Sequence, residues 1–217
     1  IGIGYEKNSK HLTITPRNLS TAVVARVQLV PWLSVLKTQD DHATFVDYSE
    51  NAQDGASANV VTLSSQDTLA NGDALYVGAQ GTFRGVYCNV TAANGTGSRT
   101  LTVEYWDGVQ WVSLSATSSS TAFDQDGYVT WTVPAAWKLD TLDRALASLS
   151  NAYARPDTLL REVHNTTQFW TRWTWNGALD SATTLEEMIA LHRSSKYGSL
   201  VSGQTLSTKA NHAFGGV

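Results

Sequence analysis

A chain of 217 residues with 42% hydrophobic content can bury a sizeable core, which excludes a disordered protein. Only 16% of residues are charged, the net charge is -4 and no Lys/Arg cluster stands out, so nucleic acid is not an expected partner. The single cysteine, Cys88, rules out an internal disulfide and reads as a small buried hydrophobe. The longest apolar run, 22–30, is broken by Arg26 and is far short of a membrane span, so no membrane insertion is expected. The chain starts at Ile1 with no basic-then-apolar signal pattern.

Residues 1–65 are loosely patterned and read as an N-terminal arm or assembly segment. Within them, 11–15 alternates Leu12 and Ile14 with polar neighbours. Residues 22–30 form a longer strand with Val23, Ala25, Val27 and Leu29 on one face, closed by Pro31. Residues 49–59 lack periodicity and read as a loop or linker.

A β-sandwich domain is expected over 66–192. Strands at 74–78 and 83–90 flank Gln80-Gly81, and 94–97 is a loop tip. The strand 99–106 alternates Leu101, Val103 and Tyr105 with polar residues, and Asp107-Gly108 then predicts a tight hairpin into 111–114. Asp126-Gly127 turns into 128–133, which Pro134 ends. Leu142, Ala145, Leu146 and Leu149 have helical spacing, predicting one short amphipathic helix over 140–149. Residues 183–192 fit either a helix, with Thr184 and Glu187 as a capping box, or a strand alternating at Leu185, Ile189 and Leu191. Residues 193–217 read as an extended C-terminal tail. Strands recurring at this spacing indicate an all-β, jelly-roll-like β-sandwich with one short helix and extended N- and C-terminal arms.

Catalytic chemistry has little support in these residues. The five histidines are scattered, and neither a nucleophile elbow nor a zinc-binding His pair is present. Asp40-Asp41-His42 reads as a polar turn rather than a base or metal ligand. Asp124 and Asp126 superficially resemble a calcium loop but lack the distal glutamate, so they read as a turn. The Asn-x-Ser/Thr matches are what chance supplies in a chain rich in hydroxyls. No enzyme activity, cofactor or metal is expected.

Seven of the eight tryptophans lie between Trp106 and Trp175. Trp106, Trp111, Trp173 and Trp175 are the candidate aromatics, either for packing and interfaces or as a stacking platform for glycans. Along 168–176, Phe169, Thr171, Trp173 and Trp175 alternate with Trp170, Arg172 and Thr174, so both faces of that strand carry indoles. Packing is the favoured reading, with core on one side and a covered interface, or stacking on Arg172, on the other.

The succession Gly72-Asp73-Ala74-Leu75-Tyr76-Val77-Gly78, Phe83-Arg84-Gly85-Val86-Tyr87, the Asp107-Gly108 hairpin with Trp111, and Gln125-Asp126-Gly127-Tyr128 with Trp131, Pro134 and Trp137 carries a family likeness. With Phe169-Trp170-Thr171-Arg172 and Ala178-Leu179, it resembles a β-sandwich module of the galactose-binding type found in structural proteins of tailed bacteriophages. The resemblance covers roughly 68–192; it departs from the usual pattern at 138–167, which is longer and carries the predicted helix. It implies a non-enzymatic virion component, expected as a capsid decoration or cement protein because long terminal arms suit lattice clamping. Tail or baseplate placement, or a carbohydrate-binding module for host-surface glycans, is the alternative. The implied partners are major capsid or tail proteins, further copies of the chain in a homo-oligomer, and host glycans.

Overall fold

The computed structural model describes residues 2–5, 11–15, 25–28, 32–39, 44–64, 66, 72–97, 99–119, 122–147, 166–192, 197–200 and 206–209. They fall into two units, one made of 32–191 and the other of 1–31 together with 192–217.

The larger unit is a sandwich of two antiparallel sheets. In the first sheet, β4 (Ser34–Gln39), β5 (Thr44–Asp47), β7 (Ala74–Ala79), β9 (Leu101–Trp106), β10 (Trp111–Ser113) and β14 (Thr167–Trp175) run in the order β10-β9-β14-β7-β4-β5. The short strand β13 (Leu139–Thr141) pairs with the start of β14. The second sheet orders β11 (Thr117–Ser118), β12 (Gly127–Thr130), β8 (Phe83–Ala92), β15 (Thr184–His192) and β6 (Val61–Thr62) as β11-β12-β8-β15-β6.

Strand alternation builds two cores. Val35, Val77, Phe83, Val86, Trp131 and Trp173 point between the sheets. There Phe83 meets Trp131 and Trp137 at centroid distances of 5.4 and 5.1 Å. Leu36, Tyr76, Trp106 and Trp170 point out of the other face of the first sheet and pack under Leu142 and Leu146 of helix α2 (Leu142–Leu146). The central strands β4, β7 and β14 are therefore buried on both faces, and they lose the polar outer stripe that an exposed sheet shows. Gly78 makes room for this layer. A Cβ there would lie 2.5 Å from the Trp170 ring, so only glycine lets that indole lie across β7.

Several expectations change at the level of pairing. The sandwich begins at Trp32 and not near residue 66, because β4 pairs with β7 and β5 with β4. The 49–59 stretch is a clasp containing a second short helix, α1 (Asn51–Asp54), whose Gln53 side chain donates to the Met188 carbonyl at 2.8 Å. Residues 184–192 resolve as a strand. The Asp107-Gly108 hairpin exists, but its loop spans four residues: Trp106 pairs with Trp111. Asp107 Oδ1 accepts the amides of Val109 and Gln110, each at 2.8 Å, while Gly108 takes a φ of +98°. The helix expected over 140–149 is observed for 142–146, and its last two residues lie outside the described set.

In the smaller unit, β1 (Gly2–Tyr5), β2 (His11–Thr15) and β17 (Leu206–Lys209) form a sheet in the order β1-β2-β17. Separately, β3 (Ala25–Gln28) pairs with β16 (Tyr197–Leu200). The described parts of 193–217 are thus strands paired with the N-terminal segment, not a free tail.

Candidate functional surface

The two outer faces of the sandwich have opposite characters. The first sheet's outer face is closed by α2 and β13, and indole N–H groups fasten that cover. Trp106 Nε1 donates to Asp140 Oδ2 at 3.0 Å, Trp170 Nε1 to the Asp140 carbonyl at 3.1 Å, and Trp111 Nε1 to the Ala145 carbonyl at 3.3 Å. Arg144 reaches Asp140 Oδ2 at 3.3 Å from the helix.

Beneath the cover lies a charged row set by register, in which Arg172 of β14 stands between Glu104 of β9 and Tyr76 of β7. Arg172 Nη2 and Nε bond Glu104 Oε2 at 2.6 and 2.8 Å, and its guanidinium sits 5.0 Å from the centroid of the Trp111 ring. Arg172 is 3% exposed. Burial pushes the Tyr76 hydroxyl pKa well above its ordinary value, against the opposing pull of Arg172. This row is a packed ion pair, buried away from any substrate.

The candidate aromatics are placed accordingly. Trp106, Trp173 and Trp175 are buried, and Trp111 is half-buried against Trp106, Tyr76 and Arg172. Trp106 and Trp111 belong to the covered outer layer, Trp173 and Trp175 to the layer between the sheets. They do not converge on one exposed plane, so the stacking platform that a glycan would need is not built from these four rings. Trp32, at 55% exposure, is the large aromatic most open to solvent among the described residues, and it lies outside the tryptophan-rich stretch.

The remaining chemical candidates dissolve into structural ties. Asp126 Oδ1 accepts the Val90 amide at 2.8 Å and so ties the start of β12 to its sheet neighbour β8. No group of three or more potential metal ligands occurs among the described residues. Cys88 is buried, and burial pushes its thiol pKa far up, leaving an inert apolar side chain. The Asp40-Asp41-His42 cluster lies outside the described residues, as do the side chains of all five histidines.

The second sheet's outer face is different. Tyr87 and Tyr128 face each other across β8 and β12 with centroids 4.9 Å apart, and Tyr128 is 49% exposed. At the end of the same face, a groove of about 510 Å³ is lined by Arg84, Ser115, Thr117, Thr130, Trp131, Thr132 and Leu191. The alternation around Val129 marks Tyr128 and Thr130 as outward-facing in the sequence. Nothing local, however, announces that 115–117 and Leu191 join them, because β11 and β15 bring those residues in from distant stretches.

No protein-family model matches this sequence, and a search of curated proteins finds no relative.

Proposed function

We propose that the chain is a non-enzymatic structural component of a tailed-phage virion, a capsid decoration or cement protein acting through contacts with capsid proteins and with copies of itself. The observation that carries this reading is the pairing of the two chain ends into a unit of their own, in sheets of three and two strands. Sheets that small bury too little apolar surface to be stable alone. A shared interface is the physical means of completing them, and symmetry repeats it around an axis. The sandwich supports the same reading, because its polar groups are spent on capping turns and fastening the cover. The likeness of 68–192 to phage sandwich modules supplies the virion. A tail or baseplate position would use the same contacts.

Sedimentation of the full chain at about 50 μM should give a homo-oligomer of defined size. Hydrogen exchange should show the amides of β1, β2 and β17 protected in the particle and open at high dilution. A monomer whose terminal strands stay protected at every concentration would overturn the proposal. An electron-microscopy map of the particle separates capsid from tail.

A further inference from the structure

We infer that Asn176-Gly177 is a self-modifying site, at which the chain deamidates its own asparagine under the influence of Arg99. The site lies at a corner of the first sheet and is independent of the assembly reading.

The sequence supplies the reactive pair. A glycine after an asparagine leaves the backbone nitrogen open to the neighbouring side chain, because no Cβ shields it. Three Asn-Gly pairs occur, at 71–72, 94–95 and 176–177, and Asn71 lies outside the described residues. The fold treats the other two in opposite ways. Asn94 is buried, and its Oδ1 accepts the Thr96 amide, the Thr96 hydroxyl and the Asp180 amide at 3.3, 2.7 and 2.9 Å. These donors lock the side chain, and its amide nitrogen is closed off from water. Asn176 is exposed just past the end of β14, and its Oδ1 accepts only the Thr100 amide, at 2.9 Å, among the described residues.

That one contact suits the reaction. It draws electrons from Cγ and leaves Nδ2 free to depart into solvent. The Gly177 amide has no acceptor among the described residues. Arg99 completes the site. Its Nε donates to the Ala178 carbonyl at 3.0 Å, which lays the guanidinium against Gly177, where a Cβ would lie 3.3 Å from Cζ and Nη1. No carboxylate forms an ion pair with Arg99 among the described residues. An unneutralised cation at that distance favours loss of the Gly177 amide proton and the negative charge that follows.

The Gly177 nitrogen gives its proton to hydroxide and bonds to Asn176 Cγ, and negative charge collects on Oδ1, where the Thr100 N–H donates. Breaking the Cγ–Nδ2 bond releases ammonia, which takes its extra proton from water, and leaves a succinimide ring. Water then adds to either ring carbonyl and opens it to aspartate or isoaspartate. In sum, one water is consumed and one ammonia released. Aspartate keeps an oxygen for the Thr100 amide and sets a new negative charge near Arg99. Isoaspartate reroutes the main chain through the former side chain and disturbs the hydrogen bond from the 176 amide to the Thr100 carbonyl.

The test is incubation of the full chain in mildly alkaline buffer, followed by digestion and mass spectrometry of each Asn-Gly peptide. In the folded chain Asn176 should convert about tenfold faster than Asn94 or more, and in urea the two rates should converge. Gly177→Ala should slow the conversion about tenfold, because its Cβ covers the nitrogen. That Cβ meets only the flexible end of Arg99, so the fold is retained. Arg99→Gln should slow it about fivefold, the weight of one charge at contact distance in water. Conversion at Asn176 no faster than at Asn94 in the folded chain, or a rate unmoved by Arg99→Gln, would sink the inference. Because oligomerisation is read by sedimentation, failure of this site leaves the assembly proposal untouched.

Discussion

Lys37 is the residue whose chemistry most departs from its surroundings. Its side chain is buried within the sandwich, with Nζ 5.6 Å from the centroid of the Tyr48 ring. Burial lowers its pKa, and the nearby Asp73 charge acts in the opposite direction. A lysine whose folded pKa lies below its unfolded value opposes folding while it is charged, and that penalty fades as pH rises from the folded toward the unfolded value, about 10.4. Lys37→Met should therefore raise the midpoint of thermal unfolding at pH 7, and the gain over the parent should shrink by pH 10. An unchanged gain would mean that the lysine is not penalised by burial. Asp107 runs the other way. The amides of Gln110 and Val109 hold its carboxyl below the usual carboxylate range, so it supports the hairpin above the unfolded pKa and releases it as pH falls through the folded value. The Val109 and Gln110 amide resonances should titrate together, below pH ~3.9.

The cover over the first sheet is an element-scale device, and its energetics rest on completing buried polar groups. Removing the acceptor in Asp140→Ala leaves the Trp106 indole N–H buried without a partner and also frees Arg144. Urea unfolding should show a loss of about 1–3 kcal/mol. The charged row beneath should respond more sharply. Glu104→Leu strands the Arg172 guanidinium in a closed layer and should cost about 3–5 kcal/mol, whereas adding Arg172→Met should recover most of it. If the double variant is as unstable as the single, the ion pair is holding the strands by something other than charge compensation. This layer was only half legible in the sequence. The alternation along 168–176 correctly separates Trp173 and Trp175 from Trp170 and Arg172. It carries no sign that the second face is covered by the chain's own 139–146 segment.

At the scale of the molecule, β14 and β7 lie in the middle of the first sheet and are buried on both sides, so their amides should exchange only on global unfolding, with the edge strands β10 of that sheet and β11 of the second opening first. Mass-resolved exchange of the full chain checks this ranking. The strands β7, β8, β9, β10 and the first half of the stretch 128–133, a turn at Asp107-Gly108, the buried cysteine and the all-β class are determined by local sequence, because alternation and turn residues act over a few positions, whereas the two-residue strand β11 carries no such signal. The membership of 32–63 in the sandwich is not legible locally because β4 is buried on both faces, with Val35 in one core and Leu36 in the other, and so shows no alternation to read. The pairing of 206–209 with 11–15, the fastening of indoles to Asp140, and the meeting of Arg84 with Thr117 and Leu191 were decided by tertiary structure alone. Such contacts depend on which distant strands become neighbours, and that choice is made by the whole core rather than by any one segment.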